Sequence, residues 1–427
     1  MKLQALSFEN FRAFAQLVME FRSDLTVLTG QNGSGKSSVL DAAALAMSAY
    51  LREFPGVQAE DLSFSDQRQG GKGPVRLVAR AEAAGQTLTW TRSFEGNRNL
   101  FTGAQGLHDY AAGLQRHMQE RAPTILPVFC YYGARNWMRS RNLAPLQKVW
   151  IKNRLVGYFN CLQAGESENL LLSWFENMTY SKLQKLQIVG PPPDPSDLVV
   201  PALYAATEAM GTCYQAACPT AKAASFSYDV VRSELEVTAT DAEGETTRSP
   251  LRLLGKGLQT VLLLCADLAA RMAILNPQLG AVVTEETPGV VLIEEIEQHL
   301  HPSVQKYVLD ALLQCFPQVQ FIVTTNSPVV LANLDAKYIR ELRGGQVYRT
   351  SQQTYAKPTD SILREVLRAD PHPDVVVQAL GSFYLSLENR AFDEADRKLG
   401  WLKECLGEDD PSVYRAGRAL KKIRFGL

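Results

Sequence analysis

Eight residues near the start of the chain, Gly30-Gln31-Asn32-Gly33-Ser34-Gly35-Lys36-Ser37, follow the pattern G-x-x-x-x-G-K-[ST]. Glycines at these spacings let successive backbone N–H groups turn inward on phosphate oxygens, in dihedrals that a side chain forbids. Lys36 would reach the terminal phosphates as a point charge, and Ser37, followed by Ser38, would offer a hydroxyl to Mg2+. The predicted ligands are therefore ATP and Mg2+. Much further along, Val290-Val291-Leu292-Ile293 runs into Glu294-Glu295. Two carboxylates at the end of a buried apolar run are costly unless a cation or donors meet them. Glu294 is the candidate metal ligand and Glu295 the candidate base that polarises an attacking water.

Elements must hold these groups together. Residues 2–8 and 25–29 read as strands, and helical spacing follows from Ser37 to about Leu51. Residues 75–80 and 86–94 alternate as a hairpin turning near Gly85, and 226–240 reads as another. Helices are expected over 257–275 and 302–316, with short buried strands at 290–295 and 320–326. The prolines of 190–197 break the helical pattern before them. This order predicts an α/β fold with a parallel core sheet and helices on its faces. The expected organisation is an N-terminal lobe at 1–104, a mainly helical insertion at 105–225, a C-terminal lobe at 226–357 and a helical extension at 358–427.

Lys+Arg 44 against Asp+Glu 45 leaves a net charge of -1, which argues against a binder driven by a basic tail. Seven scattered cysteines without a C-x-x-C pair suggest reduced thiols. With Glu9 and Arg12 in the first dozen residues and no run of eighteen apolar residues, the expectation is a cytoplasmic protein without a membrane span. His299 and His301 in EQHLHP lack the further ligands that a zinc site needs and read as structural. Arg135–Arg141, with Lys148, Lys152 and Arg154 and interleaved Trp137 and Trp150, is the most basic stretch. It suits either nucleic-acid phosphates or a solvated helix face. Tyr131 and Tyr132 read as core, and the terminal KKIRFGL as either a docking end or a frayed one.

The segments ENFRAF, GQNGSGKSS, LIEEIEQHLHP and FIVTTNSPVVL, in that order, resemble the ABC-type P-loop ATPase heads of the RecF/SMC/OLD group. The resemblance implies an ABC-type head with a helical insertion and a C-terminal helical extension. It also implies head-to-head pairing, with each nucleotide held between one phosphate loop and the partner's signature segment. Arg12 would approach the nucleotide, Gln67 is the candidate metal-sensing glutamine with Gln58 and Gln69 as rivals, and Gly255-Lys256-Gly257 falls on the signature. That segment lacks the usual serine, and Asn326 stands where the group carries histidine. Both departures predict tight ATP binding with slow or absent hydrolysis. A narrower likeness links LPVFCYYGARNWM, RLVGYFNCL, LLLSWFENM and DSILREVL to the ATPase subunit of Septu antiphage systems and its retron-associated relatives. It implies a defence complex in which a separate HNH-type endonuclease is the partner, with a reverse transcriptase and its DNA product as further candidates. The competing expectation is a DNA repair or recombination ATPase of RecF type.

Overall fold

A strand covered on both faces has no reason to alternate, and four short runs here are buried at every position. They are Leu25–Thr29, Val128–Tyr132, Gly289–Ile293 and Val319–Thr324. The computed structural model describes residues 1–133, 153–163, 168–189, 199–350 and 352–425. In chain order its strands are β1 (Lys2–Phe11), β2 (Phe14–Glu20), β3 (Leu25–Thr29), β4 (Val75–Ala83), β5 (Gln86–Glu95), β6 (Arg98–Thr102) and β7 (Val128–Tyr132). They continue with β8 (Ala223–Asp229), β9 (Glu234–Thr240), β10 (Thr246–Pro250), β11 (Gly289–Ile293), β12 (Val319–Thr324), β13 (Ile339–Arg343) and β14 (Gln346–Arg349). The helices are α1 (Lys36–Arg52), α2 (Gln105–Gln119), α3 (Glu168–Val189), α4 (Pro201–Ala217), α5 (Lys256–Leu275) and α6 (Val283–Glu286). After them come α7 (Pro302–Gln305), α8 (Val308–Cys315), α9 (Pro328–Ala332), α10 (Thr359–Glu365), α11 (Asp374–Glu388), α12 (Phe392–Leu406) and α13 (Pro411–Phe425).

The core sheet has the order β14-β13-β3-β12-β11-β7. Its pairings are parallel except for β13 with β14. Beside it stands an antiparallel sheet, β2-β1-β4-β5-β6, and further on a three-stranded one, β10-β9-β8. Buried Gln320 of β12 joins the first two sheets. Its Oε1 accepts from the Leu3 N–H at 2.7 Å, and its Nε2 donates to the Leu3 and Arg22 carbonyls at 2.7 and 2.6 Å. A fully satisfied buried amide fixes one relative placement of the two sheets, whereas an unmet one would be costly.

Two expectations change here. The stretch 105–225 is not one helical insertion, because β7 within it is a core strand hydrogen-bonded alongside β11. The helix expected over 302–316 is two, α7 and α8, parted at Lys306–Tyr307. By length and composition, α5 is apolar enough to cross a membrane, although 83% of its most apolar window is buried inside the protein, as in a core helix.

The chain divides into two compact units, Met1–Lys357 and Pro358–Leu427. The second is a small helical bundle with its own core, including Phe383, Leu387, Leu402 and Val413.

Candidate nucleotide site

Parallel strands bring their carboxyl ends to one edge of a sheet, and ligands of open α/β sheets bind at that edge. Because β3, β12, β11 and β7 are neighbours in that order, one edge gathers the loop 30–37, Asn326, Glu294–Glu295 and the two tyrosines that close β7. The sequence separates these residues by hundreds of positions, and sheet order reunites them.

The loop 30–37 turns through glycines at positive φ. Gly33 and Gly35 have φ of 81 and 96, and a Cβ on Gly35 would lie 2.3 Å from the Phe14 ring. Only glycine lets the loop turn there over β2 into the first turn of α1. Lys36 Nζ donates to the Gly30 and Gln31 carbonyls at 2.7 and 3.2 Å, so the ammonium is held over its own loop. Burial lowers the Lys36 pKa, while Glu295 and Glu297 work to raise it. Ser37 is exposed and Ser38 half-buried on the first turn of α1.

Across from the loop, the Glu294 N–H donates to the Tyr132 carbonyl at 2.8 Å, which continues the β7–β11 ladder. Glu295 has φ of 46, a left-handed backbone that a carboxylate residue rarely adopts, and its N–H donates to Thr324 Oγ1 at 2.8 Å. Such strain costs on the order of 1–3 kcal/mol and survives where the surroundings dictate it. Asn326 Nδ2 donates to Asn32 Oδ1 at 3.2 Å, tying the end of β12 to the phosphate loop. Glu297 Oε1 accepts from the Asn326 N–H at 2.8 Å. Glu297 escaped the sequence reading, although the E-E-x-E spacing was its signal.

Of the buried side-chain atoms without a hydrogen-bond partner among the described residues, four gather here, Thr29 Oγ1, Ser34 Oγ, Glu297 Oε2 and Asn326 Oδ1, while others such as Arg92 Nε and Asp267 Oδ1 lie elsewhere. The four lie on the phosphate loop or on the segments flanking it. Buried polar atoms are normally satisfied, so this cluster fits an additional polar group. Inward N–H groups, a lysine, a serine hydroxyl and carboxylates form the donor set that a nucleoside triphosphate and a magnesium ion require.

A second network lies behind the loop. Arg12 donates to Asp66 Oδ1 from Nε (3.1 Å) and Nη2 (2.9 Å), and pairs with Asp41 of α1. Burial works against the Arg12 charge, yet Asp41 and Asp66 outweigh it and raise its pKa. Tyr131 Oη donates to Asp41 Oδ1 at 2.9 Å, and Glu294 also faces this hydroxyl. Burial, followed by the nearby carboxylates, drives the phenol pKa far up and keeps it a donor. Burial likewise raises Asp41, against the pull of Arg12. Arg12, Asp41, Glu60, Ser63, Asp66 and Tyr131 line a cavity of about 220 Å3. Arg12 is thus clamped by two carboxylates. Tyr131, read from the sequence as core, has a buried ring with a hydroxyl placed between α1 and the acidic strand.

The other candidates fall elsewhere. Gln67 pairs with Phe11 as an isolated bridge, and its amide donates to the Gly73 carbonyl at 3.1 Å. Gln58 lines a different cavity with Asn153 and Leu155, and Gln69 is exposed. Gly255 and Lys256 are exposed at the start of α5. Buried Gly257 presses on the loop after the acidic strand, where an added Cβ would meet the His299 carbonyl at 2.2 Å. His301 caps α7 by accepting from the Ser303 N–H at 3.3 Å, and no group of three metal-ligating side chains occurs among the described residues. Arg154 is not a free phosphate binder. It donates to the Leu275 and Thr124 carbonyls at 2.5 Å each. The rest of that basic stretch, including Arg135, Trp137, Arg141, Lys148, Trp150 and Lys152, lies outside the described residues.

Residues 5–187 match the family described as an AAA domain, and residues 221–332 match the family described as an AAA domain, putative AbiEii toxin, Type IV TA system. The chain is 25% identical to the retron Ec83 probable ATPase of Escherichia coli, over 99% of this chain and 87% of that protein. It is 36% identical to the Septu protein PtuA of Bacillus mycoides, over 20% of this chain and 11% of that protein. Among solved structures, the SMC head bound to the C-winged helix domain of ScpA is similar with a TM-score of 0.48 and 17% identity. That similarity covers 83% of this chain and 98% of the SMC head. The chain is thus similar to retron and Septu ATPases, and two stretches of it match AAA-domain families.

Proposed function

We propose that this ABC-type head is the ATP-binding subunit of a bacterial antiphage defence complex, in which nucleotide-dependent pairing of two heads regulates a separate HNH-type nuclease. The observation that carries this reading is the pairing of a complete phosphate cradle with a reduced set of facing donors. The near full-length similarity to a retron ATPase supports the defence context.

In this reading the loop N–H groups and Lys36 bind the phosphates, while Ser37 and Glu294 hold the cation. Bound ATP and Mg2+ would supply the charge that meets the orphaned atoms around the loop. Glu295, turned by its left-handed backbone, is positioned near Lys36 and would orient a water. Asn326 can donate a hydrogen bond at the histidine position but cannot carry charge. Gly255 offers only its backbone N–H where a serine would offer a hydroxyl, and Lys256 adds a charge that can reach a phosphate held by the partner head. Losing one positioned donor at a developing charge costs about 2.7–4 kcal/mol in the barrier. Ground-state binding depends on the cradle and suffers less. ATP therefore acts mainly as a ligand that sets whether the heads pair.

Calorimetry and phosphate release, measured together on the wild type and on Lys36→Ala, test this. Tight binding with almost no release, weakened about 10²-fold in the variant, is the expected result. Turnover near about one per second would overturn the regulatory reading.

A further inference from the structure

The C-terminal bundle is nearly neutral, with 11 Lys/Arg against 12 Asp/Glu over residues 358–427, yet its charge is unevenly placed. Helix α13 carries Arg415, Arg418, Lys421, Lys422 and Arg424 and not one acidic residue. Its apolar stripe, Val413, Ala416 and Leu420, is buried in the bundle core. At 100° per residue, the opposite face presents Tyr414, Arg418, Lys421, Lys422 and Phe425, all exposed. Arg424 lies on the flank and is already paired with Asp396 at 2.7 Å. Arg418, Lys421 and Lys422 have no ion pair among the described residues. Tyr414 and Phe425 are 64% and 67% exposed, so these rings contribute little to the bundle core. They stand about 16 Å apart along the helix, with cations between them.

From this arrangement we infer that the solvent face of α13 is a docking surface for single-stranded nucleic acid. Unpaired cations in a row suit a phosphate backbone, and the exposed rings at both ends, Phe425 with the Arg424 guanidinium 5.7 Å from its centroid, give unpaired bases a π-face to stack on. A duplex hides its base faces and could use only the charge. An acidic helix from another protein would need an apolar seam, and between Tyr414 and Phe425 only Ile423 is an exposed large apolar residue. The inference is independent of the defence reading, since it rests only on charge and exposure in the second unit.

The test uses the full chain and fluorescence anisotropy with a labelled oligothymidylate and a duplex of equal length, across a salt series. Wild type should prefer the single strand. Combined Arg418→Glu, Lys421→Glu and Lys422→Glu should weaken binding at least about tenfold and reduce the log–log salt slope by about 2. Tyr414→Ala with Phe425→Ala should weaken only single-strand binding, by about tenfold. All five positions are exposed, and unchanged circular dichroism will show that the variants fold. Unchanged affinity and slope in the charge-reversed variant would place the binding elsewhere and overturn the inference. Failure of the wild type to bind either oligonucleotide would overturn it in favour of an acidic protein partner. Equal duplex affinity with no effect of the ring variants would overturn the single-strand assignment.

Discussion

On one side of the nucleotide site, a turn with three glycines at positive φ, a lysine and a 17-residue helix arrive in one contiguous stretch of chain. On the facing side, the groups come from separate loops: Asn326 bridges to Asn32 and Glu295 is held in a left-handed turn, while Gly255 would enter only across the proposed head pair. The cradle is made by backbone geometry and tolerates little change. The facing side is made by individual side chains, and two positions differ from the resembling group without disturbing the fold around them. Binding and turnover can therefore diverge in one site.

The contrast can be tested most forcefully by restoring the facing side. Gly255 has an ordinary φ of -59 and no atom within 4 Å of an added Cβ, so a serine fits. Gly255→Ser combined with Asn326→His is expected to raise phosphate release about 10²-fold while ATP affinity changes only slightly, as read by single-turnover kinetics and calorimetry. No gain in rate would mean that the missing donors do not limit turnover. Two residues along, the same chemistry should fail for steric reasons. Gly257→Ala drives a methyl into the His299 carbonyl and should cost about 1–3 kcal/mol, visible as a lower midpoint in urea unfolding.

The smallest expected effect concerns pH. The folded-state pKa of Asp41 is raised by burial, so ionising it costs stability as pH rises through that value. Asp41→Asn cannot ionise, and at low pH it matches the protonated wild type. Its thermal midpoint should therefore improve relative to wild type between acid and neutral pH. A difference that stays flat, or runs the other way, would contradict the assigned direction.

Much of this site is legible in the chain because the motifs are local. A phosphate loop, an apolar run ending in two acids, and a strand leading to Asn326 each occupy a few consecutive residues. What escaped depends on pairing at a distance. The run that forms β7 is apolar enough to be a strand, but nothing in its own residues says that it lies against β11. Without that neighbour, Tyr131 looks like ordinary core, whereas in the sheet its hydroxyl stands beside Asp41 and Glu294. Glu297 was hidden differently. Its role comes from the Asn326 backbone and the nearby Lys36, which only the folded edge brings close. Arg154 carries a cation like its neighbours in sequence, yet its donors are taken by the Thr124 and Leu275 carbonyls.

Helix α5 begins at the exposed Lys256 and runs past the buried pair Asp267–Arg271, whose ionic contact is 2.9 Å. Asp267 also accepts from the Tyr132 hydroxyl at 2.8 Å, and Arg271 donates to the Gly157 and Phe159 carbonyls at 2.9 and 2.8 Å. A dry ion pair of this kind cannot exchange partners with water, and breaking one costs about 3–5 kcal/mol. Mechanically, the helix is a rod bolted at its middle to the strand beside Glu294. A push at its exposed tip would have its shortest polar route to β7 through this contact between Asp267 and Tyr132.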